Sequence, residues 1–301
     1  MPIARVSRAG WFVALALLCA ATTGCSTTAK LNSFAELSRV GVAYSDAANA
    51  VIQQAAAGSI AADTATLVVF HELNDDTAAR RKALSDQSTA LRTQLGLLAD
   101  IRRHQSLVKE YFVALGALAD AGDADSAIGS AASDVIGALG NLSAGFAGQR
   151  IGDQTIGAFA AQAVPLVVAN LRSRALEREL TAHGAAINRE LLVSEGLMAF
   201  LAAKIKADDE AVQGPKEIDA VFTPFIKGEK LPNDWPATRL AFLEHGVDMA
   251  AVGSAQDAAR KLRTALAAAA EGRLAPGQLQ LLVNDLSTLV DVLEHVKSKP
   301  Q

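Results

Sequence analysis

Along most of this chain apolar residues recur at steps of three and four, the period of a helix with one buried face. Phe34, Leu37, Val40, Ala43 or Tyr44, Ala47 and Val51 make the first such face. Ser33 stands where an N-cap belongs, Glu36 three residues later completes a capping box, and Gly58 offers a stop. The spacing therefore predicts a helix over 33–57. A second helix starts at Ser59 or Asp63; the run Leu67-Val68-Val69-Phe70 has strand composition, but its flanks suit a buried helix. Asn74-Asp75-Asp76-Thr77 is a polar break or an exposed turn. Beyond it Leu84, Leu91 and Leu98 step by seven, with Leu95 and Ile101 beside them, and Val108, Phe112 and Leu115 continue the stripe to about Ala119. This is the longest helix the pattern predicts, with a seam like that of a coiled coil.

The middle of the chain is less regular. Gly122 to Ser126 reads as a turn and an N-cap, and residues 122–157 hold eight glycines. Gly129, Ser133, Gly137, Asn141 and Gly145 fall four apart, a spacing that lets helix backbones approach closely. Asp153 and Arg172 then bracket 18 uncharged residues. Two readings follow. One is a pair of alanine-rich helices joined by a Gly145–Gly152 loop. The other is a membrane-dipping hairpin over 129–171, which Gln154, Thr155, Pro165, Gln162 and Asn170 oppose.

Leu171 to Lys206 is helical again, with Leu176, Leu180, His183, Ile187, Leu191, Met198, Leu201 and Ile205 on one stripe. Four of the eight prolines lie in 213–236, which predicts an irregular loop or hinge. Pro236–Gly253 and Ser254–Ala270 are helical. Pro276 opens a terminal helix whose Leu279, Leu282, Leu286, Leu289, Leu293 and Val296 alternate steps of three and four, a seam expected at the centre of the bundle.

Ahead of all this, Met1–Gly10 carries Arg5 and Arg8 and no acid. About a dozen apolar residues follow, and Thr22-Thr23-Gly24 precede Cys25. A basic start, a short apolar stretch and small residues describe a secretory signal peptide; a membrane span needs roughly 20 apolar residues. The ending resembles the lipobox of bacterial lipoproteins, with Gly24 before Cys25 and Thr22 where that family usually has Leu. The resemblance covers residues 1–25. It implies cleavage between Gly24 and Cys25, lipid on Cys25, and, from Ser26 in place of Asp, export to the periplasmic face of the outer membrane. Several acyl chains on one residue hold stably where one binds only marginally. Cys19 leaves with the signal, so Cys25 is the single cysteine of the mature chain and no intrachain disulfide forms.

Composition narrows the rest. The 277 residues after cleavage suffice for a sizeable core. Losing Arg5 and Arg8 leaves 26 basic against 32 acidic residues, a formal net charge of −6. With no basic block, nucleic acid is a poor partner. Aromatics at 5% and abundant alanine and leucine favour helix over barrel or sandwich.

Fragments of catalytic motifs each fail on a named residue. His71-Glu72-Leu73-Asn74-Asp75 has Asp75 where a zinc-protease helix needs its second histidine. Ser106-Leu107-Val108-Lys109 lacks the Lys-Thr-Gly partner of penicillin-recognising enzymes. Gly140–Gly145 has one residue too many for a nucleophile elbow. Asp123 and Asp125 lack the glycine and distal glutamate of a calcium loop. Asp208-Asp209-Glu210 reads as a solvated face, and His104, His183, His245 and His295 are too dispersed for a site, His183 fitting a core position. Arg80-Arg81-Lys82 and Arg102-Arg103-His104 are bundle surface or contacts for an anionic surface.

The expectation is an all-α protein, an elongated bundle of roughly six to nine helices with coiled-coil-like seams. It comprises a cleaved signal over 1–24, a short linker over 25–32 and a helical body over 33–301. No catalytic residue, metal, cofactor or small-molecule ligand is indicated. The expected role is interaction or scaffolding, with a lipid anchor and an envelope protein as partners. The alternatives are an enzyme or ligand-binding protein with a non-motif site, and a membrane-active protein inserting 129–171.

Overall fold

The computed structural model describes the backbone at residues 9–121, 126–151, 153–168, 174–227, 230–274 and 278–298, and most side chains from Ser33 onward. The fold is all-α. Its helices are α1 (Ala9–Leu73), α2 (Thr77–Ala121), α3 (Ser126–Phe146), α4 (Ile156–Ala160), α5 (Arg174–Glu217), α6 (Thr223–Ile226), α7 (Trp235–Ala251), α8 (Ser254–Ala270) and α9 (Gln278–Ser298). A π-helical turn, Ile218–Phe222, joins α5 to α6, and a two-residue antiparallel ladder pairs Arg150 with Thr155 and Ile151 with Gln154.

α1 departs from expectation. No break occurs at Ser33 or Gly58, and the residues expected to link Cys25 to the body are helical. A glycine inside a helix costs about 1 kcal/mol against alanine. Burial of Val51, Ile52 and Ala55 just before Gly58 outweighs it. The expected face holds: Phe34, Leu37, Val40, Tyr44, Ala47 and Val51 are all buried, Tyr44 rather than Ala43 completing it. α2, expected to be the longest helix, has 45 residues against 65 in α1.

Side-chain pairings set the directions. Ser38 donates to the Phe112 carbonyl at 2.6 Å, Lys109 reaches Asp46 at 2.7 Å, and Gln94 Nε2 donates to Ser59 Oγ at 2.6 Å. α2 therefore runs antiparallel to α1. Tyr44 faces Ser194, while Ser59 lies 2.8 Å from Asp208, so α5 runs parallel to α1. α5, at 1.5 Å per residue, is about 65 Å long, and the bundle is elongated along it.

α5 is the central helix. Every residue from Leu191 to Met198 is buried. α1, α2, α3, α4 and α8 all pack on it. α9 had been expected there. Its Leu279, Leu282, Leu286 and Leu289 are buried, but against α1, α7 and α8, and Leu281 faces solvent; the side chains of Leu293 and Val296 lie outside the described residues.

The glycine-rich region resolves differently from either reading. α3 buries Ala132, Ile136, Leu139 and Phe146 against α2 and α5. Gly137, Asn141 and Gly145 lie on the opposite, exposed side, and a Cβ at Gly137 or Gly145 would meet nothing within 4 Å. The close approach occurs elsewhere, where Gly41 of α1 meets Phe112 of α2 and Gly116 of α2 meets Ser38. After α3 the chain forms the small ladder, the five-residue α4 and an extended segment over 163–168, not a second long helix. Asn188 Nδ2 fixes that segment through the Val164 carbonyl at 2.5 Å. Among the described residues no helix is long and apolar enough to cross a membrane.

The expected loop at 213–236 is mostly helical. Pro215 lies inside the last turn of α5, and Pro224 and Pro236 occupy the first turns of α6 and α7, where the missing N–H costs nothing.

Candidate functional site

Two features stand out from the bundle: a row of polar side chains buried along α5, and a pair of helix ends that carry no core.

The polar row begins with Glu179. Its carboxyl faces the Tyr111 hydroxyl, yet Glu179 Oε1 and Tyr111 OH both lack a hydrogen bond among the described residues. Burial raises Glu179 above the ordinary carboxyl range, against the pull of His183 and Tyr111. Burial likewise raises the Tyr111 hydroxyl, and Glu179 adds to it. Three turns on, Glu190 Oε2 lies 2.6 Å from Ser143 Oγ and 3.3 Å from His104 Nε2. His104 is wholly buried, its ring set edge-on to Phe146 at 5.8 Å, and its Nδ1 has no partner among the described residues. Gln105 Nε2 donates to Ser194 Oγ at 3.1 Å, beside Tyr44, whose hydroxyl burial raises. Glu195 closes the row on Arg260 at 2.8 Å and Arg263 at 3.3 Å.

Serine, histidine and glutamate thus meet in the core, but not in a catalytic order. A nucleophile needs a base at its hydroxyl and access for substrate. Here the carboxylate lies between serine and histidine, Ser143 also bonds the Leu139 carbonyl at 2.6 Å, and both His104 and Glu190 are sealed from solvent. This arrangement ties α2, α3 and α5 together in one register. Such polar groups are costly unless paired, so they disfavour alternative packings.

The motif fragments are dispersed. His71, Glu72 and Leu73 are exposed at the end of α1, and Asp75 contacts Arg80 at 3.4 Å. Ser106 bonds back to the Arg102 carbonyl, and Lys109 is held by Asp46. Gly140–Gly145 is helix throughout. Asp123 and Asp125 lie outside the described residues, as do the side chains of Gly24, Cys25 and His295; Gly24 and Cys25 are helical in α1. His183 is half-buried, not core. Of the acidic run only Glu210 is exposed: Asp208 accepts from Lys204 at 2.8 Å and meets Ser59, while Asp209 meets His245 Nε2 at 2.7 Å. Arg81, Lys82, Arg102 and Arg103 are exposed. Among the described residues no three His, Cys, Asp or Glu converge as metal ligands. An open pocket of about 340 Å³ between α8 and α9 holds the Lys261–Asp285 pair, 2.5 Å apart.

The second feature starts at Ser59, Gln94 and Asp208. Beyond this clamp α1 and α2 continue as a two-helix arm. No residue from Ile60 to Leu97 is buried. Val68, Val69, Leu73 and Leu84 are exposed by half or more, and Ile60 by nearly half. The seven-residue leucine seam is thus core only from Leu98 onward. The continuation of α5 carries a separate exposed group, Ile218, Phe222, Phe225 and Ile226, and packs on α7 rather than on the arm.

The class this fold defines is an all-α elongated bundle with an enclosed polar row and a coreless helical arm. No family model, curated protein or solved structure matches the chain.

Proposed function

We propose that this chain is a lipid-anchored interaction protein of the bacterial outer membrane, on its periplasmic face. Cys25, after cleavage at Gly24, holds one end, and the α1–α2 arm presents apolar side chains to an envelope protein at the other. The observation that carries the reading is the arm. Two helices with no buried residue between Ile60 and Leu97 gain little from each other, while Val68, Val69, Leu73 and Leu84 remain open to a partner. Along α1 the rise of 1.5 Å per residue places Leu73 about 70 Å from Cys25. The anchor is therefore at one end and the exposed side chains at the other, as a spacer or scaffold requires. The arm's apolar residues are spread over two helices at a helical period, which suits a partner helix laid along them.

The test has two parts. Intact mass of the mature protein is expected to show a chain starting at acylated Cys25, and Cys25→Ser is expected in the soluble fraction. Val69→Asp with Leu84→Asp is expected to abolish partner binding while leaving helicity and unfolding unchanged. An unprocessed, unacylated chain sinks the anchor; undiminished binding by the folded double variant sinks the arm.

A further inference from the structure

We propose that the exposed segment Ile218–Ile226 is a contact between two copies of this chain, paired antiparallel about a two-fold axis at Phe222. The proposal stands apart from the anchor and from the arm, since it rests on a different surface.

Ile218, Phe222, Phe225 and Ile226 are exposed by 56%, 50%, 63% and 76%, whereas Val221 on the other side is buried at 5%. An apolar helical group turned to solvent in this way is unusual, because large side chains normally gain from burial. The segment is also held ready. Trp235 stacks on Phe225 with centroids 5.6 Å apart and donates its Nε1 hydrogen to the Val221 carbonyl at 3.0 Å. A rigid aromatic anchor loses little freedom on binding, which is the character of a binding hot spot.

The occupant follows from the sequence of the segment. Around Phe222 its ends are self-complementary: Ile218 and Ile226 stand four residues to either side, and Glu217 and Lys227 five to either side, with Phe225 falling opposite Asp219. Antiparallel pairing of two copies about Phe222 sets Ile218 on the other copy's Ile226 and Glu217 against its Lys227. Neither Glu217 nor Lys227 has an ion-pair partner in its own chain among the described residues. A two-fold contact requires this property, that one patch match itself.

Area agrees. Four such side chains, with Leu240 and Leu243 exposed on the neighbouring α7, offer about 500–600 Å² per copy, or about 1,000 Å² in a pair, the lower end for a specific contact. A lipid surface fits less well. Residues 216–234 hold Lys216, Lys227 and Lys230 against Glu217, Asp219, Glu229 and Asp234, so no excess of positive charge draws the segment to anionic head groups.

The experiment is sedimentation equilibrium of the Cys25→Ser chain, which removes lipid-driven association, with charge-reversed variants at the half-buried Glu217 and the exposed Lys227. The wild-type segment is expected to give a reversible monomer–dimer equilibrium. Glu217→Lys alone and Lys227→Glu alone each place like charges across the axis and are expected to weaken dimerisation about tenfold or more. The double reversal restores opposite charges in both symmetric contacts and is expected to return most of the loss. Phe222→Cys, on the axis, is expected to give a disulfide-linked dimer under oxidising conditions. A monomer at every concentration, a dimer indifferent to the single reversals, or failure of the folded double variant to recover would each overturn the proposal.

Discussion

The Phe112 ring of α2 occupies the space that a Cβ at Gly41 of α1 would fill. The two helices approach closely here, and Ser38 locks the contact by donating to the Phe112 carbonyl at 2.6 Å. Glycine is needed for this approach. Gly41→Ala is expected to destabilise the fold by about 1–3 kcal/mol, the range for overpacking a tight core. Gly137→Ala, on the open side of α3, is expected to stabilise it by about 0.5–1 kcal/mol by removing backbone freedom from the unfolded chain. Urea unfolding of the two variants checks this: midpoints should move in opposite directions. A neutral Gly41→Ala would mean that α1 and α2 cross with more room than this contact allows.

The Glu190 carboxylate serves His104 and Ser143 together, from the middle of α5. Glu190→Ala leaves a buried imidazole without its partner, while Ser143 keeps the Leu139 carbonyl, and is expected to cost about 1–3 kcal/mol. His104→Leu leaves the Ser143 bond in place and is expected to cost less. Equilibrium unfolding orders the two. Equal, small losses would show that the core relaxes around these groups.

Glu179 gives the fold a pH dependence. Burial raises its carboxyl above the unfolded value near 4.3, so the folded state binds the proton more tightly. That contribution is complete below the unfolded value and is lost as pH rises through the raised one. Glu179→Gln keeps the neutral shape at every pH. It is expected to raise stability at pH 8 by about 1–3 kcal/mol, the scale of an unsatisfied buried polar group, and to change little at pH 4. Thermal unfolding across this range is the check; equal stability at pH 8 would mean that His183 compensates the charge.

Cys25 is expected to determine location and not folding. Cys25→Ser should shift the protein from the membrane to the soluble fraction with its urea midpoint unchanged. Retention of the variant on the membrane would require another attachment.

Much of the fold was legible in the sequence, because the face from Phe34 to Val51 and the stripe from Leu176 to Ile205 repeat at the helical period. The ends of helices were less so. Gly58 read as a stop, but it costs the helix less than the burial of Val51, Ile52 and Ala55 returns, and the prolines of 213–236 read as a loop although three of them lie in helices. The polar row was missed although a signal existed. Leu191-Leu192-Val193 and Leu197-Met198 are apolar on every side of the helix, so Ser194 and Glu195 between them had to be buried too. The arm was not readable, since Leu84 and Leu91 continue the same period that builds the core from Leu98 on. Periodicity identifies a face without saying what covers it.

The measurement that tests the central reading most directly is photo-crosslinking in growing cells. A photoactivatable side chain is placed at Val69 on the arm or at Glu110, which is exposed on α2 well away from the arm. The expected result is one discrete protein adduct from Val69, lost in the Leu84→Asp background, and none from Glu110. Absence of an adduct at Val69 in membrane-held protein, or the same adducts from both positions, would contradict a partner bound by the arm.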